Sequence, residues 1–395
     1  MTERVTPNQP REKSRKAEPG AVVVGGSGAG LYTAAIVARG GRDVRVFEAS
    51  ESLEPERRTL IVTRHLRGLL GPAAAACTVN EIRRFELFTD GRSASVSLGY
   101  PDLVIERAKL IRALAEEARS AGVAIEYDRR FISIGQRTRQ LTLQIDNRGK
   151  TEEVRAATLV GADGTSSRVA RAAGWPMPET AGLIQAIVRP PKDCPADTVR
   201  IWFVPEDTPY FYWLIPESAE RGALGLIAEN LAHARQHLER FMDRRGFQPM
   251  EFQGGRIPVY RGWVPVRRRF ADGEVFLVGD AAAQVKVSTL GGVVTGFRGA
   301  RGVAEAILNG GRSRELASLR RELGLHWLIR RALHGFGQSD YSRLVDLLDD
   351  TARRALGDAS RDQAARLLWS LLRRRPRLLL LGLRGLLLGH REPRA

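Results

Sequence analysis

Three short glycine-containing segments hold the residues whose types and spacing best suit chemistry. The first, GGSGAG, sets Gly25 and Gly30 at the outer positions of a G-x-G-x-x-G spacing, with Ser27 where a middle glycine usually stands. An apolar run, AVVV at 21–24, precedes it, and LYTAAIVARGG follows with helical spacing. A turn between such a strand and helix presents free N–H groups and the positive helix end, which hold a pyrophosphate. Gly25 permits the tight turn and Gly30 lets helix and strand approach. The Ser27 hydroxyl is able to donate to phosphate, although its Cβ demands more room than a glycine. Glu48 closes the next strand, VRVFEA, at the position where a carboxylate accepts from ribose hydroxyls.

Taken alone, a glycine turn is often only a turn. Two more strand-to-turn segments lie far along the chain, however: LVGADGTSSRVAR at 159–171 and VFLVGDAAAQVKVSTLGGVVTGFRGA at 275–300. With these residues in place, the sequence resembles the large FAD-dependent superfamily of aromatic-ring hydroxylases, flavin-dependent halogenases and geranylgeranyl reductases. GGSGAG with Glu48 resembles the ADP-binding fingerprint, GADGTSSRVAR the DG motif and VGDAAAQV the GD motif, over about residues 20 to 310. The resemblance implies that Asp163 and Gly164 lie beside the FAD pyrophosphate. It also implies that Gly279 and Asp280 meet the ribityl chain and that Arg107, in VIERAKL, neutralises phosphate. Ala170 stands where the family often has arginine, with Arg171 one step later. Gly291 and Gly292 precede a predicted helix whose amino end would face the pyrimidine edge of the flavin and tune its potential.

The reaction is read from a smaller motif. FYWLIP at 211–216 resembles the substrate-side motif of geranylgeranyl reductases through Phe211, Trp213 and Pro216, with Ile215 in place of an aromatic. It also approaches the corresponding halogenase motif. Halogenases of this kind use a lysine in the amino-terminal half, and none stands between Lys16 and Lys109. GDAAAQV is nearer the reductase form than the histidine-proline form of the hydroxylases. The cysteine-glycine motif many reductases carry is absent from RRTLIVTRHLRG. Arg58, Thr59 and Thr63 in that segment are placed by the resemblance near the flavin ring. His65 and His326 belong to no triad and read as structural, and no general acid or base stands out. The expectation is an oxidoreductase that reduces double bonds of an isoprenoid or other lipophilic substrate, with NAD(P)H or ferredoxin as electron donor. The alternatives are a monooxygenase of an apolar aromatic or polyketide-like substrate, a halogenase, and a flavin-bound interaction protein without turnover.

Composition bounds the rest. Cys77 and Cys194 form no CxxC or Cys/His cluster, so neither a disulfide framework nor a metal site is expected, and a reducing cytoplasm is the simplest setting. A formal charge of +17 raises nucleic-acid binding, but no nucleic-acid motif appears and none is expected. Arginine and leucine concentrate instead in RRRPRLLLLGLRGLLLGHREPRA, too short and interrupted to span a bilayer. Such a segment suits an anionic membrane surface on the inner face, or a terminal helix packed on its own domain.

The elements that position these residues follow from period and order. The fold class is α/β: a Rossmann-like FAD-binding domain, an interleaved antiparallel-sheet substrate domain and a helical carboxyl-terminal region. The expected divisions are a disordered lead at 1–19 and a first FAD part at 20–182, with an inserted β segment at about 84–100. A substrate sheet at 183–262, a second FAD part at 263–310 and a basic helical region at 311–395 complete the chain.

Overall fold

A computed structural model describes residues 20–135, 141–270, 273–374 and 376–388. The expected lead at 1–19 and the last seven residues of the basic tail lie outside the described residues. Ala21–Val24 is buried along its whole length, which is why its four residues are all apolar. It pairs in parallel with Val44–Phe47 on one side and Thr158–Gly161 on the other. Ala124–Glu126 extends the sheet beyond Val44–Phe47, and Gly273–Leu277 then Arg267–Phe270 extend it the other way, the last antiparallel. Strand order therefore reverses at Ala21–Val24, which opens a crevice at the carboxyl ends of the three central strands.

Two glycines set the spacing of that crevice. Gly25 sits at φ +106, and a Cβ on it would stand 2.5 Å from the Ala162 carbonyl oxygen. A Cβ on Gly30 would collide with the Gly25 carbonyl and come within 2.8 Å of Ala162 Cβ. The helix Gly28–Arg39 thus rests directly on the sheet, and on its far side Tyr32 meets Phe297 of the helix Val293–Leu308 edge to face at 5.4 Å.

A second sheet of eight strands lies beside the first. It takes in Thr180–Val188, Thr198–Trp202, Tyr212–Pro216, Gly222–Ala228 and Glu251–Pro258. It also recruits Thr59–Val62 and the hairpin Thr78–Thr89/Arg92–Glu106, turned at Asp90-Gly91, so the β segment expected at 84–100 is longer and belongs to this eight-stranded sheet. The sheet is mixed and not purely antiparallel, because Thr198–Trp202 runs parallel to Thr78–Thr89. A separate three-stranded antiparallel sheet, Arg129–Gly135, Leu141–Asn147 and Lys150–Ala156, flanks the first sheet.

From Arg314 the chain is helical: Arg314–His334, Gln338–Asp346, Asp350–Asp358, Ala364–Arg374 and Pro376–Leu388. Pro376–Leu388 packs back onto Arg314–His334, with Leu381 buried against Phe336 and Tyr341. Trp369, Leu380 and Leu383 remain exposed. No helix among the described residues is long and apolar enough to cross a membrane.

Gly30→Ala is expected to destabilise the protein by about 1–3 kcal/mol, the usual cost of overpacking a rigid contact. Denaturant unfolding checks it, and a variant as stable as the parent refutes the contact.

Candidate functional site

The crevice is built first from backbone. Ser27 caps the helix Gly28–Arg39, its hydroxyl oxygen accepting from Gly30 N at 3.2 Å, and the first turn carries no acidic residue. The Ser27 oxygen is therefore engaged as a helix cap, a role its sequence position alone did not announce. Gly26 N donates to Glu48 Oε2 at 2.7 Å and Ser50 N to Glu48 Oε1 at 3.0 Å, so the carboxylate is fixed at the strand tip beside the turn.

Asp163 follows Thr158–Gly161, but its carboxylate is turned to its own helix. It accepts from the Ser167 hydroxyl at 2.5 Å, Arg168 N at 2.7 Å and Val169 N at 3.1 Å, and so holds the start of Arg168–Ala172. Gly164, at φ +78, has open space where a side chain would be. Ala170 is buried in that helix, with its N–H bonded to Ser167.

Gly279 bends the third segment at φ +66, its N–H donating to the Gln284 side chain at 2.8 Å, and a short 3-10 turn then carries Asp280. Burial pushes the Asp280 carboxyl up, and the charges of Arg58 and Arg107 oppose that rise. Arg107 opens the helix Arg107–Ser120, and its N–H donates to the Arg58 carbonyl at 3.0 Å. Among the described residues no carboxylate forms an ion pair with Arg58 or Arg107. Burial, then Arg107, pushes the Arg58 guanidinium down from its usual value. A Cβ on Gly292 would stand 3.5 Å from Asp280 Oδ1, so the amino end of Val293–Leu308 lies alongside that carboxyl. Its first turn also lacks an acid, and Leu290 just before it takes a strained φ of 56°. Glycine turns, two helix amino ends free of acids and two arginines that, among the described residues, bond only backbone carbonyls of Gly254 and Glu56 fit an extended dianionic dinucleotide.

Against this crevice opens an apolar cavity of ≈ 390 Å³. Gly291, Gly292, Val293 and Val294 line it, and so do Trp213 and Ile215 of the strand Tyr212–Pro216 with Phe211 just before it. Strand alternation sorts the motif: Trp213 and Ile215 belong to the cavity-side cluster, whereas Tyr212 and Leu214 join the cluster beneath the helix Leu231–Arg245. Tyr212 stacks on Phe241 at 4.0 Å. The buried Trp213 Nε1 has no hydrogen-bond partner among the described residues. Thr59 and Thr63 also line the cavity, but their hydroxyls are taken by Glu217 and Asp362.

Several polar residues at the cavity escaped the sequence reading. Lys286 lines it and is ion-paired to Asp362, both side chains being buried. Asp362 also accepts from Thr63 and faces His65 Nδ1 at 3.2 Å. Burial raises the Asp362 carboxyl, but the Lys286 charge and hydrogen bonds from His65, Lys286 and Thr63 outweigh it and hold the group well below the usual range. His326 bonds Ser288 at 2.5 Å and sits 3.3 Å from Glu322, and burial lowers its affinity for a proton. The two histidines read as scattered thus stand at one polar cluster. A signal was present for Lys286, one of six lysines in the chain, set in the apolar run QVKVST. Cys77 and Cys194 are buried thiols, each pushed up to about 11 by burial.

The comparisons with known proteins agree with this geometry. A family model described as an FAD binding domain matches residues 19–309. Digeranylgeranylglycerophospholipid reductase 2 of Methanothermobacter thermautotrophicus is 30% identical over 220 residues, 50% of this chain and 56% of that protein. The chain thus matches little more than half the length of that relative. Digeranylgeranylglycerophospholipid reductase of Methanothrix thermoacetophila is 27% identical over 315 residues, 73% of this chain and 78% of its own. Among solved structures, a geranylgeranyl bacteriochlorophyll reductase-like protein from Thermoplasma acidophilum superposes with a TM-score of 0.76 at 18% identity, covering 92% of this chain and 98% of that one. The p-nitrophenol 4-monooxygenase of Pseudomonas putida gives 0.62 at 19% identity, covering 93% and 98%. Likeness at these identities establishes the fold, which is the one expected.

Asp362→Asn leaves Lys286 buried and unpaired, at a cost of about 3–5 kcal/mol near neutral pH. Because the folded carboxyl lies below its unfolded value of about 3.9, the pair's contribution is present above that pH and lost as pH falls. The melting-temperature gap between parent and variant is therefore expected to narrow below about pH 4. A gap constant with pH refutes the assignment.

Proposed function

The chain belongs to the FAD binding domain family, and from that premise we propose that it is an FAD-dependent reductase of carbon–carbon double bonds in an isoprenoid or similarly lipophilic substrate. The observation that carries this reading is the apolar cavity, walled by Phe211, Trp213 and Ile215 and bounded by the Gly291–Val294 turn. The relatives named for reduction of a digeranylgeranyl glycerophospholipid support it.

In this reading Gly25, Ser27 and Gly30 carry the FAD pyrophosphate at the amino end of Gly28–Arg39. Glu48 accepts from ribose hydroxyls, Arg107 neutralises phosphate and Gly164 leaves room for close backbone approach. Gly279 and Asp280 meet the ribityl chain, and Gly291 and Gly292 bring the amino end of Val293–Leu308 to the ring edge. That helix end favours negative charge on its neighbour. Bound FAD, once reduced by NAD(P)H or a ferredoxin, supplies a hydride. The walls hold the prenyl chain and exclude water, and their buried rings leave little polar surface to compete for it.

Electron supply and substrate delivery both suit a protein resting on the cytoplasmic face of a membrane. Trp369, Leu380 and Leu383 are exposed, and Arg373, Arg377 and Arg384 are exposed near them on the same two helices. An apolar patch rimmed by arginine suits an anionic lipid surface.

Anaerobic incubation of dithionite-reduced holoenzyme with a geranylgeranyl phospholipid is expected to add one dihydrogen per reacted double bond by mass spectrometry. Trp213→Ala should slow this about tenfold, since it removes a wall that positions the chain. Oxygenated product formed only in air would replace the reductase reading with a monooxygenase. For the surface, Trp369→Ser with Leu380→Ser is expected to weaken co-sedimentation with phosphatidylglycerol vesicles, and unchanged binding would remove the membrane proposal.

A further inference from the structure

Saturating a double bond needs a proton as well as a hydride, and the cavity wall is mostly hydrocarbon. Its titratable lining residues are Lys286, Arg330, Tyr341 and Arg361. Arginine does not release its proton in proteins, and Arg361 is in any case bound to Asp102. Burial raises the Tyr341 phenol above its ordinary value. Hydroxyl and amide groups such as Thr59, Thr63 and Gln185 are far weaker acids. Lys286 is left.

Resting on the reductase reading above, we propose that Lys286 gives the proton that accompanies hydride addition, and that Asp362 and His65 reload it from solvent. Three observations carry this. First, a Cβ on Gly291 would stand 3.3 Å from Lys286 Cε, so the lysine stem lies over the turn that leads into Val293–Leu308. Second, the groups form a chain: Lys286 Nζ donates to Asp362 Oδ1, while Asp362 Oδ2 faces His65 Nδ1 at 3.2 Å. Ser360 Oγ, 3.1 Å from His65 Nδ1, also accepts from Asp362 N at 3.3 Å and braces the junction. Third, burial is graded along it, because the Lys286 and Asp362 side chains are 5% and 3% exposed while that of His65 is 35% exposed. One end touches the cavity and the other touches water.

A fully buried ion pair contributes little net stability, since desolvation offsets its attraction. A pair connected to solvent at one end and to a reaction cavity at the other has a use beyond holding the fold. Other charges around it are accounted for: Arg361 is held by Asp102, and burial lowers the proton affinity of His326 on the helix Arg314–His334, with the Lys286 charge adding to that and Glu322 opposing it.

In the step itself the π bond opens. One carbon forms its new C–H bond with the hydride and both its electrons, which oxidises the bound cofactor by two electrons. The adjacent carbon takes H⁺ as the Lys286 N–H bond breaks, leaving a neutral amine. A proton handed on by His65 then returns through Asp362 to the amine, and solvent replaces it at His65. An ammonium is too weak an acid to protonate an isolated alkene first, so proton transfer accompanies or follows the hydride.

Two measurements test the relay. In holoenzyme labelled with 15Nζ-lysine, with the Lys286 signal assigned by its loss in Lys286→Arg, exchange of its ammonium protons with water is expected to be severalfold slower in His65→Phe. Equal exchange rates overturn the relay whatever the substrate. In anaerobic single turnover, Lys286→Met with Asp362→Leu replaces the pair by apolar residues of similar size and is expected to keep FAD and melting temperature. Its rate should fall on the order of a hundredfold, the usual contribution of a positioned acid. Added small primary amines should restore part of it. A double variant with parental rate would mean the pair is only a latch. If the parent reduces no prenyl chain, the reductase reading falls by itself, and the exchange measurement alone decides the relay.

Discussion

The near-contact of Gly25, Gly30 and Ala162 is the constraint on which the architecture turns. With no side chain at either glycine, the helix Gly28–Arg39 lies on the sheet with its amino end at the point where strand order reverses. Only at such a point do neighbouring loops diverge to opposite faces and leave a crevice. Glu48, Gly164 and Asp280 each follow a strand of this one sheet, so residues more than two hundred positions apart arrive at the same edge. The far side of that helix then fixes Val293–Leu308 through Tyr32 and Phe297, which aims a second helix end at the same crevice.

The cavity depends on a different rule, the period of two. Once Tyr212–Pro216 pairs with Thr198–Trp202 and Gly222–Ala228, Trp213 and Ile215 must share a face, and Tyr212 must take the other. Tyr212 uses its place under Leu231–Arg245 fully, stacked on Phe241 with its hydroxyl 2.9 Å from Asp207. The motif FYWLIP thus serves two cores, and only its alternate residues shape the cavity.

Much of this was legible in the sequence, because it is local. A strand, a glycine turn and a helix are contiguous, and so are alternating rings on a strand, so GGSGAG, Glu48, GADG, VGDAA and FYWLIP all announced their elements. What was not legible depends on pairing across distance or on competition for one hydrogen-bonding group. The long hairpin joined the eight-stranded sheet through Thr198–Trp202, a partner no local pattern specifies. Asp163 was readable as a motif residue, but its three bonds to Arg168, Val169 and Ser167 were not. His65 reads as isolated because the carboxylate beside it lies 297 residues away, and Lys286 because its partner lies 76 away.

The placement of charge separates the two halves of the site. Among the described residues Arg58 and Arg107 have no carboxylate in ion-pair contact, and both act on the buried Asp280, an arrangement that suits an anionic ligand. Lys286 is the reverse: its ammonium is neutralised in place by Asp362, so the cavity wall carries a proton source without a net charge to draw water in. The halogenase alternative called for a lysine in the amino-terminal half, where none stands between Lys16 and Lys109, and the lysine found at this cavity comes instead from the segment after Asp280 and is fastened to a carboxylate. A fastened ammonium is a poor nucleophile, since its lone pair is occupied by the proton that Asp362 stabilises. The same pairing that unfits Lys286 for carrying an oxidised halogen suits it to hold a proton ready, and the apolar walls leave few other groups to do so.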